Sequence, residues 1–331
     1  MLYTKRTCLA DRFLIAALAA CLFFMLLLSG SEFQAANKVK VFGEKGRWHL
    51  LLNGQDFFIK GVGCGDYLTP ENIDDALISS KELGANCIRR WGESDYDELI
   101  LDKCQEYELM AMMGFWLPVT MDYERDELAK ELLTEQVLDF IRRYKDHPSL
   151  LVWGIGNEVI ILGEIKLKEQ GIELSDDEKV ARSTAFARYL ETLCQKIKEV
   201  DQDHPIVFAG AGLTALEYID KYTPSLDIYG VNFYGGAREA YSYWRKINPD
   251  IPYIFTEFGP RGPWEVNDDV NGLPIEPDDE MKARSFEDIW QKSILAKEGY
   301  CLGGFAFHLT EKRLVIEGSS PTWWGLTFRG V

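Results

Sequence analysis

Two glutamates stand near the carboxyl ends of two apolar segments of the chain. Glu158 ends the segment LVWGIGNE that begins at Leu151, and Glu257 lies in the segment YIFTEFG that begins at Tyr253. Apolar runs of this length are typical of strands buried on both faces, where a terminal carboxylate has no structural use. One such glutamate could cap the next helix or pair with an arginine, but two in equivalent positions suggest a pair that acts together.

A pair of carboxyl groups on either side of one bond is the arrangement that glycoside hydrolysis needs. One carboxyl group must arrive protonated to give its proton to the leaving oxygen, and the other must arrive ionised to attack or stabilise the anomeric carbon. Because the two glutamates are far apart in the sequence, they can face each other only if their strands belong to one closed or tightly wound parallel sheet. The rest of the chain must supply that sheet.

The chain alternates between strand-like and helical patterns. Six further short runs rich in apolar residues predict strands, at residues 57–62, 86–91, 110–117, 205–209, 226–234 and 301–309. A hairpin is predicted before them, with Asn53 and Gly54 as its two-residue turn. Helical spacing of apolar residues lies between the strands, as in residues 126–144 and 175–200, whereas residues 159–173 are predicted to form an irregular loop.

Eight strands that alternate with helices predict an α/β fold of the (β/α)8 or TIM barrel class, with a short N-terminal β-hairpin. In such a barrel the carboxyl ends of all strands meet at one rim, which would bring the two glutamates together. An open, doubly wound sheet is the alternative, and it requires a glycine-rich phosphate loop after the first strand. Residues 61–65 lack the third glycine at the required spacing, and Arg89 and Arg90 stand where an acidic residue would be expected.

A barrel would gather several polar and aromatic side chains at the rim that carries Glu158 and Glu257. The candidates for substrate binding are Arg89, Asn157, Tyr234, Trp116, His308 and Trp323. A guanidinium beside Glu257 would keep that carboxylate ionised, and the negative charge of Glu257 would in turn raise the pKa of Glu158. One environment would then give the two glutamates different roles.

Each of these candidates also has a structural interpretation. Arg89 could form a buried ion pair, and the alternation of side chains along a strand puts it on the face opposite to Arg90 without showing which face is interior. Tyr234 could donate a hydrogen bond to Glu257 or be an ordinary aromatic residue of the rim. The tryptophans could stack on the apolar face of a sugar or pack in the core.

The composition fits one large domain and restricts its partners. The chain has 331 residues, of which 47% are hydrophobic, and this is ample for a buried core. A formal charge of −17 argues against nucleic acid or an anionic membrane surface as a partner, whereas a neutral oligo- or polysaccharide would not be repelled. The sequence has no CxxC or HExxH motif and no cluster of histidines, so we expect no metal or other cofactor. The cysteines after residue 36 are scattered and odd in number, which predicts buried thiols rather than disulfides.

The first 36 residues have the layout of a secretory signal. Basic residues precede an uncharged apolar run at residues 13–28, and small residues follow it. We therefore predict a leader at residues 1–36 and a single (β/α)8 catalytic domain at residues 37–331, with export to the periplasm or the cell exterior. An uncleaved membrane anchor is an alternative, although the apolar run is shorter than the roughly 20 residues that span a bilayer. Lipidation at Cys21, in the sequence LAAC, is a third interpretation.

In these motifs the chain resembles the catalytic barrels of the clan of retaining (β/α)8 glycoside hydrolases, over roughly residues 57–326. The resemblance rests on four segments in the order of the clan's second, fourth, sixth and seventh strands: NCIRRWG, KDHPSLLVWGIGNE, YGVNFYGG and YIFTEFG. The chain is most similar to the barrel of family 2, which includes β-galactosidases, β-glucuronidases and β-mannosidases. It also resembles fungal β-1,3-glucanosyltransferases in its GNEV sequence and in an asparagine and a tyrosine on the sixth strand.

The resemblance implies a role for each of five residues. Glu158 would be the acid/base and Glu257 the nucleophile, which Arg89 would orient. Asn157 would bind the 2-hydroxyl of the sugar, and Tyr234 would donate a hydrogen bond to the nucleophile.

The sequence departs from the family pattern in two places. Family 2 enzymes normally carry β-sandwich domains before the barrel, and here we expect only the leader and one hairpin there. The eighth strand usually carries a tryptophan at the floor of the first sugar subsite, but residues 304–308 contain none. His308, or the segment at residues 321–325 that contains Trp323, could take that place, and the identity of the sugar stays open.

Three functions are compatible with these residues. We expect a retaining glycosidase that cleaves β-linked oligo- or polysaccharides by double displacement through a covalent glycosyl-enzyme. A transglycosylase would share the first half of that reaction and pass the sugar to another glycan. A barrel that binds carbohydrate without turning it over is the alternative outside the enzymes.

Overall fold

The computed structural model describes residues 36–65, 68–309 and 326 of the chain. Within these ranges, the first three strands form a small antiparallel sheet in the order β1 (Val39–Phe42), β2 (His49–Leu52) and β3 (Gln55–Asp56). Asn53 and Gly54 connect β2 to β3, and both have positive φ angles, 52° and 82°, as a two-residue hairpin turn requires. The predicted hairpin is therefore part of a three-stranded sheet.

Eight parallel strands form a closed barrel, which confirms the predicted fold. They are β4 (Ile59–Gly63), β5 (Cys87–Arg89), β6 (Met110–Phe115), β7 (Leu150–Asn157), β8 (Ile206–Ala211), β9 (Ile228–Phe233), β10 (Tyr253–Phe258) and β11 (Cys301–Ala306). Neighbouring strands pair in sequence order, and β11 pairs with β4 to close the barrel. Every residue of β7 and β10 is buried, as expected for strands covered on both faces.

Helices in the described part of the chain follow most of the barrel strands. They are α1 (Ile73–Glu82), α2 (Asp97–Glu106), α3 (Glu127–Tyr144), α4 (Val159–Glu169), α5 (Asp176–Val200), α6 (Leu216–Tyr222), α7 (Ala240–Ile247) and α8 (Asp279–Ile289). Short 3-10 or π segments add Ala237–Glu239, Pro263–Glu265, Trp290–Ile294 and Leu295–Lys297. A capping box between Ser175 and Glu178 starts α5, which then buries Phe186, Leu190 and Ile197 against the barrel.

The prediction of an irregular loop at residues 159–173 is wrong, because α4 occupies most of it. This helix has apolar residues around much of its circumference, so its sequence shows no single apolar stripe. Val159, Gly163 and Leu167, spaced four residues apart, form its buried face. The remaining apolar residues of α4 include Ile161 and Leu162, which are half-buried, and Ile165, which is exposed.

The small N-terminal sheet covers the amino ends of the barrel strands. Its Val39 and Leu50 belong to the same buried cluster as the barrel residues Ile59 and Val152. The backbone N–H of Val39 also donates to the carbonyl of Asp203, just before β8, at 2.7 Å. The opposite rim, at the carboxyl ends of the strands, is left for ligands.

Three further sequence predictions concern the cysteines, the leader and Trp323. The five cysteines from Cys64 to Cys301 are free and buried, as predicted. None of the helices in the described ranges has the length and apolar character to cross a membrane. Residues 1–35 of the predicted leader, and Trp323, lie outside the described residues.

Candidate active site

Strand β7 delivers Asn157 and Glu158 to the carboxyl rim. Glu158 follows the strand directly and has left-handed backbone angles, φ 51° and ψ 28°, which cost an L-residue about 1 kcal/mol. Its backbone N–H donates to the carbonyl of Ala209 in β8 at 2.7 Å, which holds this conformation in place. Strained backbone of this kind clusters at functional sites, and here it directs the Glu158 side chain as the chain turns from β7 into α4.

Glu257, in β10, accepts hydrogen bonds on both oxygens of its buried carboxylate. Arg89 donates to Oε1 from Nη1 at 3.0 Å, and the indole N–H of Trp91 donates to the same oxygen at 2.6 Å. The hydroxyl of Tyr234 donates to Oε2. Because all three partners are donors, the arrangement matches an ionised carboxylate, which is an acceptor only.

Glu158 lies in a different environment, with a single described side-chain donor. The Nδ2 of Asn232 donates to its Oε1 at 2.9 Å. Burial, and then the negative charge of Glu257, raise the pKa of Glu158 to about 7, against smaller opposing effects from Asn232 and Arg89. The sequence prediction named the charge of Glu257 as the cause, whereas burial is the larger contribution. At neutral pH a large fraction of Glu158 therefore carries a proton.

Arg89 connects the two parts of the site. It is buried, its Nη1 also donates to the carbonyl of Thr256 at 2.7 Å, and its Nη2 donates to Oδ1 of Asn157 at 2.8 Å. Burial lowers the pKa of Arg89, and the charge of Glu257 acts in the opposite direction. Arg90 points away from these residues and donates to the carbonyl of Gly65. Arg89 is thus both a buried ion pair and the residue that fixes the position of Glu257.

Asn232 belongs to the site, although it was not among the residues predicted from the sequence. Its Nδ2 donates to Asn157 Oδ1 at 3.0 Å as well as to Glu158, and its Oδ1 accepts from Thr256 Oγ1 at 2.7 Å. The signal in the sequence was its position two residues before Tyr234, because alternate residues of a strand share one face. Asn232 therefore joins the surroundings of both glutamates.

Trp91 was also missed, and it stands two residues after Arg89 on the same side of the chain. Besides its hydrogen bond to Glu257, its ring lies 4.7 Å from the Arg89 guanidinium and meets Phe307 edge to face at 5.6 Å. Phe307 in turn meets Tyr234 at 5.8 Å. The indole of Trp91, from the segment after β5, thus lies beside the end of β11, the strand from which the resemblance would lead one to expect a tryptophan.

The other predicted aromatic and histidine candidates lie around this centre. His308 is buried, with its ring 4.8 Å from that of Phe307. Trp116 is 38% exposed, and its indole covers Gly92, where any Cβ atom would collide with it. A further aromatic residue outside that set of candidates, Trp264, is 67% exposed and meets Tyr234 edge to face at 5.8 Å. The structure does not describe Trp323.

A cavity of about 910 Å³ adjoins the site on the side of Glu158. Asn232 and Tyr234 line it together with Glu158, whereas Glu257 is not among its lining residues. In the described residues no group of three or more His, Cys, Asp or Glu side chains is placed to hold a metal ion. The site thus brings together two carboxyl groups in unlike surroundings, with Arg89 bound to Glu257 and to Asn157.

Comparisons with known proteins agree with this geometry. The family model for the TIM barrel domain of glycosyl hydrolases family 2 matches residues 46–261. A goat (Capra hircus) β-mannosidase is 24% identical over 226 residues, which are 64% of this chain and 25% of the goat protein. A mouse (Mus musculus) β-glucuronidase is 22% identical over 269 residues, 74% of this chain and 36% of the mouse protein.

Solved structures share the barrel. The crystal structure of a GH2 β-galacturonidase from Eisenbergiella tayi bound to galacturonate superposes with a TM-score of 0.61 at 20% identity. The match covers 84% of this chain and 47% of that protein. The present chain thus spans less than half the length of each of these three proteins, and the similarity covers its barrel.

Proposed function

The chain belongs to the glycosyl hydrolases of family 2, and from this premise we propose that it cleaves β-linked glycosides with retention of the anomeric configuration. The observation that carries the proposal is the unlike treatment of the two glutamates. Glu257 accepts three hydrogen bonds, one of them from Arg89. Glu158 has a pKa raised to about 7, so a large fraction of it carries a proton at neutral pH. One carboxyl group is suited to attack and the other to give a proton.

In the first step Glu257 attacks the anomeric carbon. A bond forms between a carboxylate oxygen and that carbon, the glycosidic bond breaks, and Glu158 gives its proton to the departing oxygen. The product on the protein is a glycosyl ester of Glu257, and Glu158 is left ionised. Arg89, Trp91 and Tyr234 hold the attacking carboxylate in one orientation.

The second step uses the same residues in reverse. Esterification removes the negative charge of Glu257, which is one of the causes of the raised pKa of Glu158. The pKa of Glu158 then falls, so it can take a proton from a water molecule that attacks the anomeric carbon. Glu257 leaves as a carboxylate, and the sugar is released with its original configuration.

Asn157 is proposed to bind the hydroxyl next to the reacting carbon. Its Oδ1 accepts hydrogen bonds from Arg89 and Asn232. This orientation leaves its amide NH2 as the group that can donate to a sugar hydroxyl. Aromatic rings at the rim, such as Trp116, would cover the apolar face of the sugar.

Transfer of the sugar to a second glycan is the other candidate activity. Transfer requires an acceptor other than water in the second step, and it is supported by the GNEV sequence and by the asparagine and tyrosine of the sixth barrel strand. Products longer than the substrate would identify a transglycosylase.

Export also remains part of the proposal, supported by the pattern of residues 1–36 and testable by fractionating cells that express the full chain.

The experiment that tests the proposal is a screen with the full chain. Aryl β-glycosides of mannose, galactose, glucuronic acid and galacturonic acid represent the sugars that similar proteins suggest. For a sugar that is cleaved, NMR of the first product should show the β-anomer, and a 2-deoxy-2-fluoro glycoside should label Glu257. A first product with the α-configuration would mean inversion, and a barrel that only binds carbohydrate would leave Glu257 unlabelled.

A further inference from the structure

We infer that the leaving-group side of the site is built for an apolar aglycone, an aryl or alkyl group, rather than for a second sugar. The inference rests on the proposed function, because it assigns a ligand to one side of the same site. The first observation is that the cavity adjoins Glu158. Glu158 protonates the leaving oxygen and lines the cavity, so the group attached to that oxygen extends into it.

Helix α4 supplies one wall of this cavity. Its Ile161, Leu162 and Ile165 line the cavity, on the side of the helix away from its buried face. Ile165 is 44% exposed. A soluble helix normally turns polar residues to this side, so the aliphatic surface indicates a ligand that covers it.

The other walls continue the apolar surface. Leu213, which lies between β8 and α6, and Ile247, at the end of α7, add aliphatic side chains. Tyr243 and Trp264 add aromatic rings that are 56% and 67% exposed. These residues come from three segments of the chain, and together with helix α4 they form a concave apolar surface next to the reacting groups.

The accessible wall of the cavity is mainly apolar, although hydroxyl groups of Thr214, Tyr218 and Tyr243 also line it. Each buried sugar hydroxyl would need a hydrogen-bond partner, and aliphatic side chains offer none. Glu265 already accepts from the backbone N–H groups of Gly235 and Gly262, at 3.0 and 2.9 Å. Glu217 and Lys246 line the cavity and are exposed, so water competes for their hydrogen bonds. An alkyl chain or aryl ring would instead gain free energy along the whole wall.

The test compares two leaving groups of similar acidity on one sugar. With the sugar that the full chain cleaves in the aryl glycoside screen, kcat/KM is measured for the methyl and the octyl β-glycoside, both below the micelle concentration of the octyl compound. We expect kcat/KM to be at least about tenfold larger for the octyl glycoside, equivalent to about 1.4 kcal/mol. About two buried methylene groups would supply this difference. A disaccharide of the same sugar should be cleaved less efficiently than the octyl glycoside.

A pair of matched variants links the preference to the cavity. Ile165→Asp places a charge on its wall and should bring the octyl-to-methyl ratio of kcat/KM towards one. Ile172→Asp changes an isoleucine of similar exposure, 48%, that does not line the cavity, and it should keep the ratio of the wild type. Calorimetry with the octyl and methyl β-thioglycosides, which resist cleavage, should show the same preference in binding.

The outcomes separate the two proposals. Cleavage of both glycosides with equal kcat/KM, or a ratio that Ile165→Asp does not change, would overturn the apolar aglycone and leave the glycosidase intact. If no glycoside of the screen is cleaved and Glu257 is never labelled, the proposed function fails, and the inference fails with it.

Discussion

Two carboxyl groups at opposite ends of the barrel, the buried Asp201 and the half-buried Glu158, have pKa values that are shifted in opposite directions. Asp201, before β8 at the amino end, accepts from Trp153 Nε1 at 2.7 Å, from His204 Nδ1 at 2.9 Å and from the backbone of Asp203 at 2.9 Å. Burial would raise the pKa of Asp201, but these hydrogen bonds outweigh it and lower the pKa. Glu158 at the carboxyl end has one such donor and a like charge nearby, and its pKa is raised to about 7.

The difference shows that burial alone does not decide the protonation state. The donors and the charged groups around each carboxyl group together decide whether the cost of burial is offset, with His204 favouring the ionised form of Asp201 and Glu257 opposing that of Glu158. At the amino end the structure satisfies its carboxylate fully, and the result is stability. At the carboxyl end it leaves Glu158 with too few donors, and the result is an acid that can give up a proton at neutral pH.

Among the substitutions, removal of the proposed nucleophile Glu257 should reduce activity the most. Glu257→Gln keeps the size of the side chain but removes the attacking oxygen, so we expect kcat to fall at least about 10⁴-fold. Glu169→Gln is the matched control, because Glu169 is exposed and pairs only with Lys166 among the described contacts. A Glu257→Gln protein that keeps kcat within tenfold of the wild type would contradict the assignment.

Replacing Glu158, the proposed acid, should reduce the rate of cleavage by a factor that depends on the substrate. Glu158→Ala leaves the departing oxygen without a proton, which costs about 10²–10⁴-fold for poor leaving groups and much less for activated aryl groups. Azide should restore part of the rate by attacking the glycosyl-enzyme in place of activated water. An equal loss on all substrates, without rescue, would show that Glu158 is not the acid.

The hydrogen bond from Trp91 to Glu257 can be tested with one type of substitution, made at Trp91 and at a control tryptophan. Trp91→Phe keeps an aromatic ring beside Phe307 but removes the N–H that donates to Glu257, so kcat should fall about tenfold. Trp48→Phe makes the same change in the N-terminal sheet and should leave kcat unchanged. Equal kcat values for the two variants would show that the indole of Trp91 serves packing alone.

At the amino end, loss of the carboxylate should affect stability and leave catalysis intact. Asp201→Asn removes the ionised acceptor of Trp153 and His204, and we expect unfolding free energy to fall by about 1–3 kcal/mol at pH 7. Because the pKa of Asp201 is lowered from 3.8, its contribution is present above that pH and is lost as the pH falls through the native value. Chemical denaturation at pH 7 and pH 3 measures both effects. A large fall in kcat at unchanged stability would contradict the proposal that Asp201 stabilises the fold and takes no part in catalysis.

The sequence predicted the barrel and its two glutamates because their signals are local. Each strand is a short apolar run, and Glu158 and Glu257 follow such runs directly. Helix α4 escaped prediction because it has two apolar sides, one against the barrel and one towards the cavity, so it lacks the periodicity of an ordinary surface helix. Its second apolar side makes sense only once the cavity is seen.

The hydrogen-bond network of the site could be predicted only in part. Arg89 and Tyr234 were identified as possible partners of Glu257, and both donate to it. Trp91 and Asn232 were missed, since indole and amide groups are common in strands and only their contacts distinguish them. The degree of burial of Glu158, the larger cause of its raised pKa, also depends on distant parts of the chain and is not encoded in a short motif.

The central claim is that Glu158 holds its proton because of burial and the charge of Glu257. Carbon-13 NMR of glutamate-labelled protein, with Glu158→Gln to assign the resonance, measures the pKa of Glu158 in the free protein and in the 2-fluoroglycosyl adduct of Glu257. We expect a Glu158 pKa of about 7 in the free protein and a clearly lower pKa in the adduct. Accordingly, kcat/KM should fall as the pH rises through 7. An ordinary glutamate pKa in the free protein, or the same pKa in both states, would contradict this claim.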